Sequence, residues 1–336
     1  MASQLGDFQP KWFPDFAEKL PRVEGKVFVV TGTTSGTGFT AAKTVVEKGG
    51  TLVALNRPSE RATAALQKLK DIPEASDRVH GVDCDLQSFA SVREAAAKVR
   101  ESFPEVHCLA NNAGIMATPD RATKDGFDEQ MQTNHLSHFL LVKELMPCLL
   151  ASAAKTGEDA RIVNHSSGAR KRTQVLEEKY FGKNGGNLGG DEVSNMAGPP
   201  FTRYAQTKLA NSVFTHALAD RLEAAKLPVK VFSCHPGASA TSLANHLDIN
   251  SLSSFKVFFF KMILQSADDG AMGLVKCMMD PSVTSRGMYG PNGWFQTFYG
   301  PAEYTKPLDS ETDQANKDLL WRASEQAIGE TFTVSQ

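Results

Sequence analysis

Tyr204 and Lys208 lie four residues apart in RYAQTKLAN, and no other tyrosine of the chain has a lysine at that spacing. On a helix, positions i and i+4 share a face, so a phenol and an ammonium can meet at one site. A phenol with its ordinary pKa of about 10 exchanges protons poorly at neutral pH unless a neighbouring cation stabilises the phenolate. The pair is therefore a candidate general acid or base of the kind that proton transfer coupled to hydride transfer requires. A surface Tyr and Lys on an amphipathic helix would show the same spacing, so the residues that accompany the pair matter. Ser167, at the end of RIVNHSSGA, can hold a substrate oxygen beside the phenol. Asn134, in QTNHLSHFLL, can order a water next to Lys208.

A second set of residues suits a dinucleotide. TGTTSGTG, Thr31 to Gly38, follows the apolar run KVFVV and opens a helical stretch. Glycines at such a turn let the backbone approach a pyrophosphate, whose charge the helix N-terminus favours. The candidate contacts there are Gly32, Thr34, Ser35, Gly36, Thr37 and Gly38, although the glycine spacing differs from the common GxGxxG. After the next apolar run comes LNRP, with Arg57 and no carboxylate before Glu60. An acidic residue at that point would accept from free ribose hydroxyls, and an arginine would instead meet a 2′-phosphate, so NADPH is expected over NADH. Asp85 and Leu86 of DCDL are placed to touch the adenine, and Asn112, Ala113 and Gly114 of NNAG to form a close backbone wall. In HPGASAT, Pro236 and Gly237 shape a turn and Thr241 can bind a nicotinamide amide.

The elements that must position these residues alternate. KVFVVTG, TLVALN, RVHGVDCDL, VHCLANNAG, RIVNHSS and VKVFSCHPG read as strands with helical stretches between them, the sign of a parallel sheet covered on both faces. SGTGFTAAKTVVEKGG is a crossover helix with a glycine stop. SFASVREAAAKVRESF is another, capped by Ser88 and apolar at Phe89, Val92, Ala96 and Val99. The candidate residues all fall at strand carboxyl ends or on adjoining helices, where open α/β sheets bind ligands. KRTQVLEEKYFGKNGGNLGGDEVSNMAGPPF has no period and is expected to be a lid, an insertion or a mixture of short elements.

The chain has 336 residues, a formal net charge of −2, and 22% charged and 41% hydrophobic residues. This composition suits a globular protein with a sizeable core, and gives no electrostatic reason to expect nucleic acid or an anionic membrane as partner. The five cysteines sit singly in apolar contexts without CxxC spacing, as reduced buried thiols of an intracellular, cytoplasmic protein would. Residues 1–24 read as an arm whose aromatics pack back on the domain or touch a partner or membrane surface, with no run long enough for a signal peptide or membrane span. FKVFFFKMIL, residues 255–264, is apolar nearly all round but too short to span a bilayer. It is expected to face the core or substrate, with an interface or peripheral membrane contact as alternatives. His135, His138, His165 and His235 lack metal-ligand spacing, so no metal is expected. The NHS sequon at Asn164 falls in a core strand.

The order TGTTSGTG, DCDL, NNAG, TNHLSHF, VNHSS, YAQTK and HPGASAT resembles the short-chain dehydrogenase/reductase superfamily over roughly residues 25–300. It is similar in particular to the branch of retinol dehydrogenases, WW-domain oxidoreductases and protochlorophyllide oxidoreductases. The resemblance implies a Rossmann-like, doubly wound α/β domain over residues 25–336. The expected sheet has about seven parallel strands with helices on both faces, an insertion at about 171–201 and a substrate-side segment at about 240–268. It also implies that Asn134, Ser167, Tyr204 and Lys208 form a catalytic tetrad, with Tyr204 and Lys208 touching NADP(H) as well. In that scheme Lys208 lowers the phenol pKa and holds the nicotinamide ribose. The implied activity is carbonyl/alcohol interconversion on a lipophilic small molecule. A light-driven tetrapyrrole reductase and a non-enzymatic NADPH sensor are the alternatives. Three departures from the family pattern stand out: Thr37 in place of an aliphatic residue, Thr207 in place of Ser, and 36 residues between Ser167 and Tyr204.

Overall fold

A computed structural model describes residues 8–189, 198–239, 264–291 and 298–335. A short helix α1 (Phe13–Glu18) precedes β1 (Val27–Thr31), α2 (Gly36–Glu47), β2 (Thr51–Asn56), α3 (Glu60–Lys70), β3 (Val79–Asp83), α4 (Phe89–Ser102) and β4 (Cys108–Asn111). The long helix α5 (Glu129–Thr156) contains a π turn at Gln132–Leu136. There follow β5 (Ala160–His165), α6 (Gly198–Ala224), β6 (Val229–Cys234), α7 (Ala267–Met279), β7 (Met288–Pro291), β8 (Ala302–Thr305), α8 (Asp309–Thr312) and α9 (Gln314–Ile328).

The strands form one sheet in the order β3-β2-β1-β4-β5-β6-β7-β8. Seven run parallel, as expected. The eighth, β8, pairs antiparallel with β7 and adds an edge that the sequence reading lacks. Alternate residues of β1 enter two cores: Val29 packs with α4, α5, α6 and α9, while Phe28 and Val30 pack with α2 and α7. The order reverses at β1, whose neighbours are β2 and β4, and this opens a crevice at the carboxyl edge.

Helix signals read from sequence recur in the coordinates. Ser88 caps α4 by accepting from Ser91 N–H, and Phe89, Val92, Ala96 and Val99 are buried. Helix α5 is long and apolar enough to cross a membrane by composition, but its most apolar window is 72% buried inside the fold, with Phe139, Leu140 and Leu141 in the core. Its apolar character therefore reflects burial on all sides.

The arm docks on the domain through one carboxylate. The backbone N–H groups of Lys11, Trp12 and Phe13 all donate to the buried Asp269 at the start of α7, each at 2.9 Å. Phe13 and Phe16 pack against the second core. The long irregular stretch is a mixture of short elements where it is described: 3-10 turns at Gly168–Arg172 and Glu178–Phe181, with Tyr180 and Phe181 in the core. Residues 190–197 of that stretch, and residues 255–263 of FKVFFFKMIL, lie outside the described residues; Leu264 is buried.

Candidate active site

A cleft of about 370 Å³ opens at the carboxyl edge of the sheet. One end is formed by the turn into α2. Gly32 has φ +74°, and a Cβ there would lie 2.8 Å from Ala113. A Cβ on Gly38 would lie 2.2 Å from Gly32 O and 2.3 Å from Asn112 Nδ2, so only glycine lets α2 close on the turn. Ser35, the N-cap of α2, makes no side-chain cap bond. The first amides of α2 thus keep their donors for an anion. Asn112 stitches the wall together: its Nδ2 donates to Thr31 O (2.9 Å) and Gly32 O (3.2 Å), and its Oδ1 accepts from Thr37 Oγ1 (3.2 Å). Thr37 thus uses its hydroxyl within the wall, which accounts for a polar residue at this buried position.

The other end holds Tyr204 and Lys208, one turn apart on α6 and both buried. Lys208 Nζ donates to His165 O at 3.0 Å and lies 5.6 Å from the Tyr204 ring centroid. Burial lowers its ammonium pKa to about 8. Burial also raises the Tyr204 phenol to about 12, against a smaller lowering by a hydrogen bond with the Ser167 side chain. Desolvation sets the direction for the phenol here, and the ammonium is directed to a backbone carbonyl. Ser166 lines the cleft but donates its hydroxyl to Lys208 O at 2.7 Å, which leaves Ser167 as the serine beside the phenol.

Asn134 is fully buried in the π turn. Its Oδ1 accepts from Ile115 N (2.8 Å), and its Nδ2 donates to Ile115 O (2.9 Å) and Thr207 Oγ1 (3.0 Å). Both amide hydrogens are engaged within the protein, so the side chain braces Ile115 and Thr207. Thr207 passes the brace on to Tyr204 O at 2.8 Å. A Cβ on Gly114 would lie 3.1 Å from Asn134 Oδ1 and 3.4 Å from Lys208 Nζ, so the glycine lets these groups approach the NNAG turn closely.

Comparison with known proteins agrees with this geometry. The short chain dehydrogenase family model matches residues 26–182. A short-chain dehydrogenase/reductase of Armillaria gallica is 32% identical over 81% of this chain and 81% of the relative. The chain belongs to the short-chain dehydrogenase/reductase family. Polyprenol dehydrogenase of Mus musculus is 31% identical over 94% of this chain and 85% of the relative. A solved structure of an uncharacterized protein from Mycobacterium paratuberculosis superposes with a TM-score of 0.71 at 28% identity, covering 95% of this chain and 98% of that one.

Within this family frame the expected cofactor positions divide. Gly32, Thr34, Ser35, Gly36, Thr37, Gly38, Arg57, Asn112, Ala113, Gly114, Tyr204, Lys208 and Pro236 line the cleft. Asp85 and Leu86 do not: the Leu86 side chain enters the first core, and Asp85 Oδ1 accepts from Gln87 N at 3.0 Å. Gly237 packs beneath Phe298 O and is also outside the lining, while Thr241 lies outside the described residues. Asn56 holds the glycine turn through Thr33, accepting from its N–H and donating to its hydroxyl, each at 2.8 Å.

Several lining residues escaped the sequence reading. Arg61, four residues after Arg57 in the first turn of α3, lines the cleft and donates to Ser35 Oγ. Around Tyr204, Ala169 and Phe201 form a small apolar cluster with Met116 and Ala117 packed against it. Among the described residues no group of three or more His, Cys, Asp or Glu side chains could hold a metal ion. His135 pairs with Ser324 and is neutral, its pKa lowered to about 3 by burial.

Proposed function

We propose that the protein is an NADP(H)-dependent oxidoreductase that interconverts a carbonyl and an alcohol on a lipophilic small molecule. The observation that carries this reading is the presence, in one cleft, of the open α2 N-terminus at one end and the buried Tyr204–Lys208 pair at the other. A bound nicotinamide dinucleotide supplies or accepts the hydride. The α2 amides hold its pyrophosphate, and Arg57 and Arg61, which line the same cleft, meet a 2′-phosphate.

Tyr204 is the proton donor in the reducing direction, because a phenol kept near 12 by burial is protonated throughout the neutral range. Ser167 holds the substrate oxygen. Lys208 keeps hydrogens beyond the one given to His165 O and offers them to the ribose hydroxyls. The apolar group of Met116, Ala117, Ala169 and Phe201 beside Tyr204 suits an apolar substrate, as does similarity to a relative that acts on polyprenol. Five free, buried thiols suit a reducing intracellular compartment.

Titration of the purified protein with NADPH and with NADH tests the cofactor half of the reading. NADPH is expected to bind at least about tenfold more tightly, the worth of a charge-assisted contact to the 2′-phosphate. Equal affinity would refute the roles of Arg57 and Arg61. Absence of binding by either nucleotide would refute the whole proposal.

A further inference from the structure

His138 is buried on α5, and both of its ring nitrogens have partners. Nδ1 lies 3.1 Å from the backbone O of Asn134, and Nε2 lies 2.9 Å from Thr31 Oγ1. A carbonyl oxygen only accepts, so the ring proton is on Nδ1 and Nε2 must accept from the threonine hydroxyl. Burial lowers the ring pKa to about 4, which keeps it neutral at physiological pH, and the two partners select the tautomer.

Thr31 Oγ1 has one proton and two lone pairs. Asn112 N–H and Ala113 N–H each donate to it at 3.0 Å, and the other acceptor for its proton, Ala110 O, is farther away at 3.4 Å. Every donor and acceptor of the chain is thereby matched, and the bonds run in one direction. They start at the amides of the NNAG turn, pass through Thr31 and His138, and end on the carbonyl of Asn134. One end of this chain lines the cleft and the other is buried behind it. Asn112 and Ala113 line it, and Asn134 sits in the π turn that braces Ile115 and Thr207. π turns inside helices often mark functional sites, where carbonyls leave the regular ladder and need other partners.

We infer that His138 is a positioning residue for cofactor binding: through Thr31 it fixes the cofactor-facing NNAG turn relative to the Asn134 turn. The inference rests on the dinucleotide reading of the cleft. His135, three residues earlier, shows the contrast, since its Nε2 meets Ser324 Oγ and it makes no bond to the glycine turn or the NNAG turn among the described residues. Loss of the ring lets the Thr31 hydroxyl turn toward Ala110 O, and loss of the hydroxyl itself removes the acceptor of Ala113 N–H and one of the two acceptors of Asn112 N–H, so a ligand that needs that turn ordered binds more weakly.

Replacing the ring by an apolar side chain leaves the Asn134 carbonyl without this donor and risks unfolding, so the test uses Thr31→Val, which keeps the shape, and His138→Asn, which stays polar but loses the reach to Thr31. Each is expected to weaken NADPH binding about tenfold. The double variant is expected to be no weaker than the worse single, because both changes cut one chain. Long-range ¹H–¹⁵N spectra of the wild-type ring are expected to show the Nδ1–H tautomer. Unchanged NADPH affinity in both variants, or losses that add in the double variant, would overturn the positioning role. An Nε2–H ring would overturn the chain itself, whatever the protein binds. A wild-type protein that binds neither NADPH nor NADH would instead refute the reading of the cleft, so the two failures are distinguishable.

Discussion

Lys208→Met is expected to stabilise the protein at neutral pH while removing its activity. Burial takes the ammonium from an ordinary pKa of 10.5 down to about 8. At about 1.4 kcal/mol per pH unit, carrying the charge makes the folded protein about 3 kcal/mol less stable at pH 7 than it would be with a neutral side chain there. Methionine has a similar reach and no charge to desolvate. It loses the bond to His165 O, but that carbonyl still accepts from Asn211 Nδ2 at 3.0 Å, so the loss is about 1 kcal/mol. The net expectation is a gain of about 2 kcal/mol at pH 7. The sign of the pH dependence follows from the lowered pKa. Below pH 8 both states hold the proton and the penalty is full. Between pH 8 and 10.5 the unfolded chain keeps a proton that the native state has released, so the wild type gains stability as pH rises and the gap to the variant narrows. Urea unfolding of both proteins at pH 7 and at pH 9.5 measures this. A variant less stable than wild type at pH 7, or a gap of equal size at both values, would refute the argument that a desolvated ammonium is held here at the expense of stability.

Other perturbations probe separate parts of the site. Gly38→Ala places a methyl 2.2 Å from a backbone oxygen and 2.3 Å from Asn112 Nδ2, and should cost about 1–3 kcal/mol in thermal unfolding together with dinucleotide binding. Arg57→Ala and Arg61→Ala should each raise the NADPH Kd about tenfold and leave the NADH Kd nearly unchanged, and equal losses for both nucleotides would argue against 2′-phosphate recognition. Asp269→Ala leaves three arm amides without their acceptor. Limited trypsin digestion after the exposed Lys11 and Lys19 should accelerate several-fold, whereas unchanged cleavage would show that the aromatic contacts alone hold the arm.

Much of this architecture is legible in the sequence because it is local. The first six strands are apolar runs, and the helices between them carry their own caps and stops. β7 and β8 are hidden because each has four residues, MYGP and AEYT, and the first contains Gly and Pro that read as a turn. Long-range pairing is equally hidden. The buried Arg170–Glu311 ion pair, 2.5 Å, joins residues 141 apart in sequence, and no composition or period points to it. The i, i+4 spacing correctly brings Tyr204 and Lys208 to one face. It does not reveal that the ammonium turns to His165 O, or that burial dominates the phenol pKa, because both depend on what packs around α6. Asn134 shows the same limit: its place beside Lys208 follows from the motif, but its bonds to Ile115 and Thr207 need the coordinates.

Transfer of deuterium from C4 of labelled NADPH to a long-chain aldehyde or ketone, in wild type and in Tyr204→Phe, tests the central claim most directly. The expected result is label on the carbinol carbon of the product with wild type, and turnover slowed by about 10²-fold or more in the variant with NADPH binding retained. Product formed at the wild-type rate by Tyr204→Phe, or NADPH binding without label transfer to any lipophilic carbonyl, would contradict it.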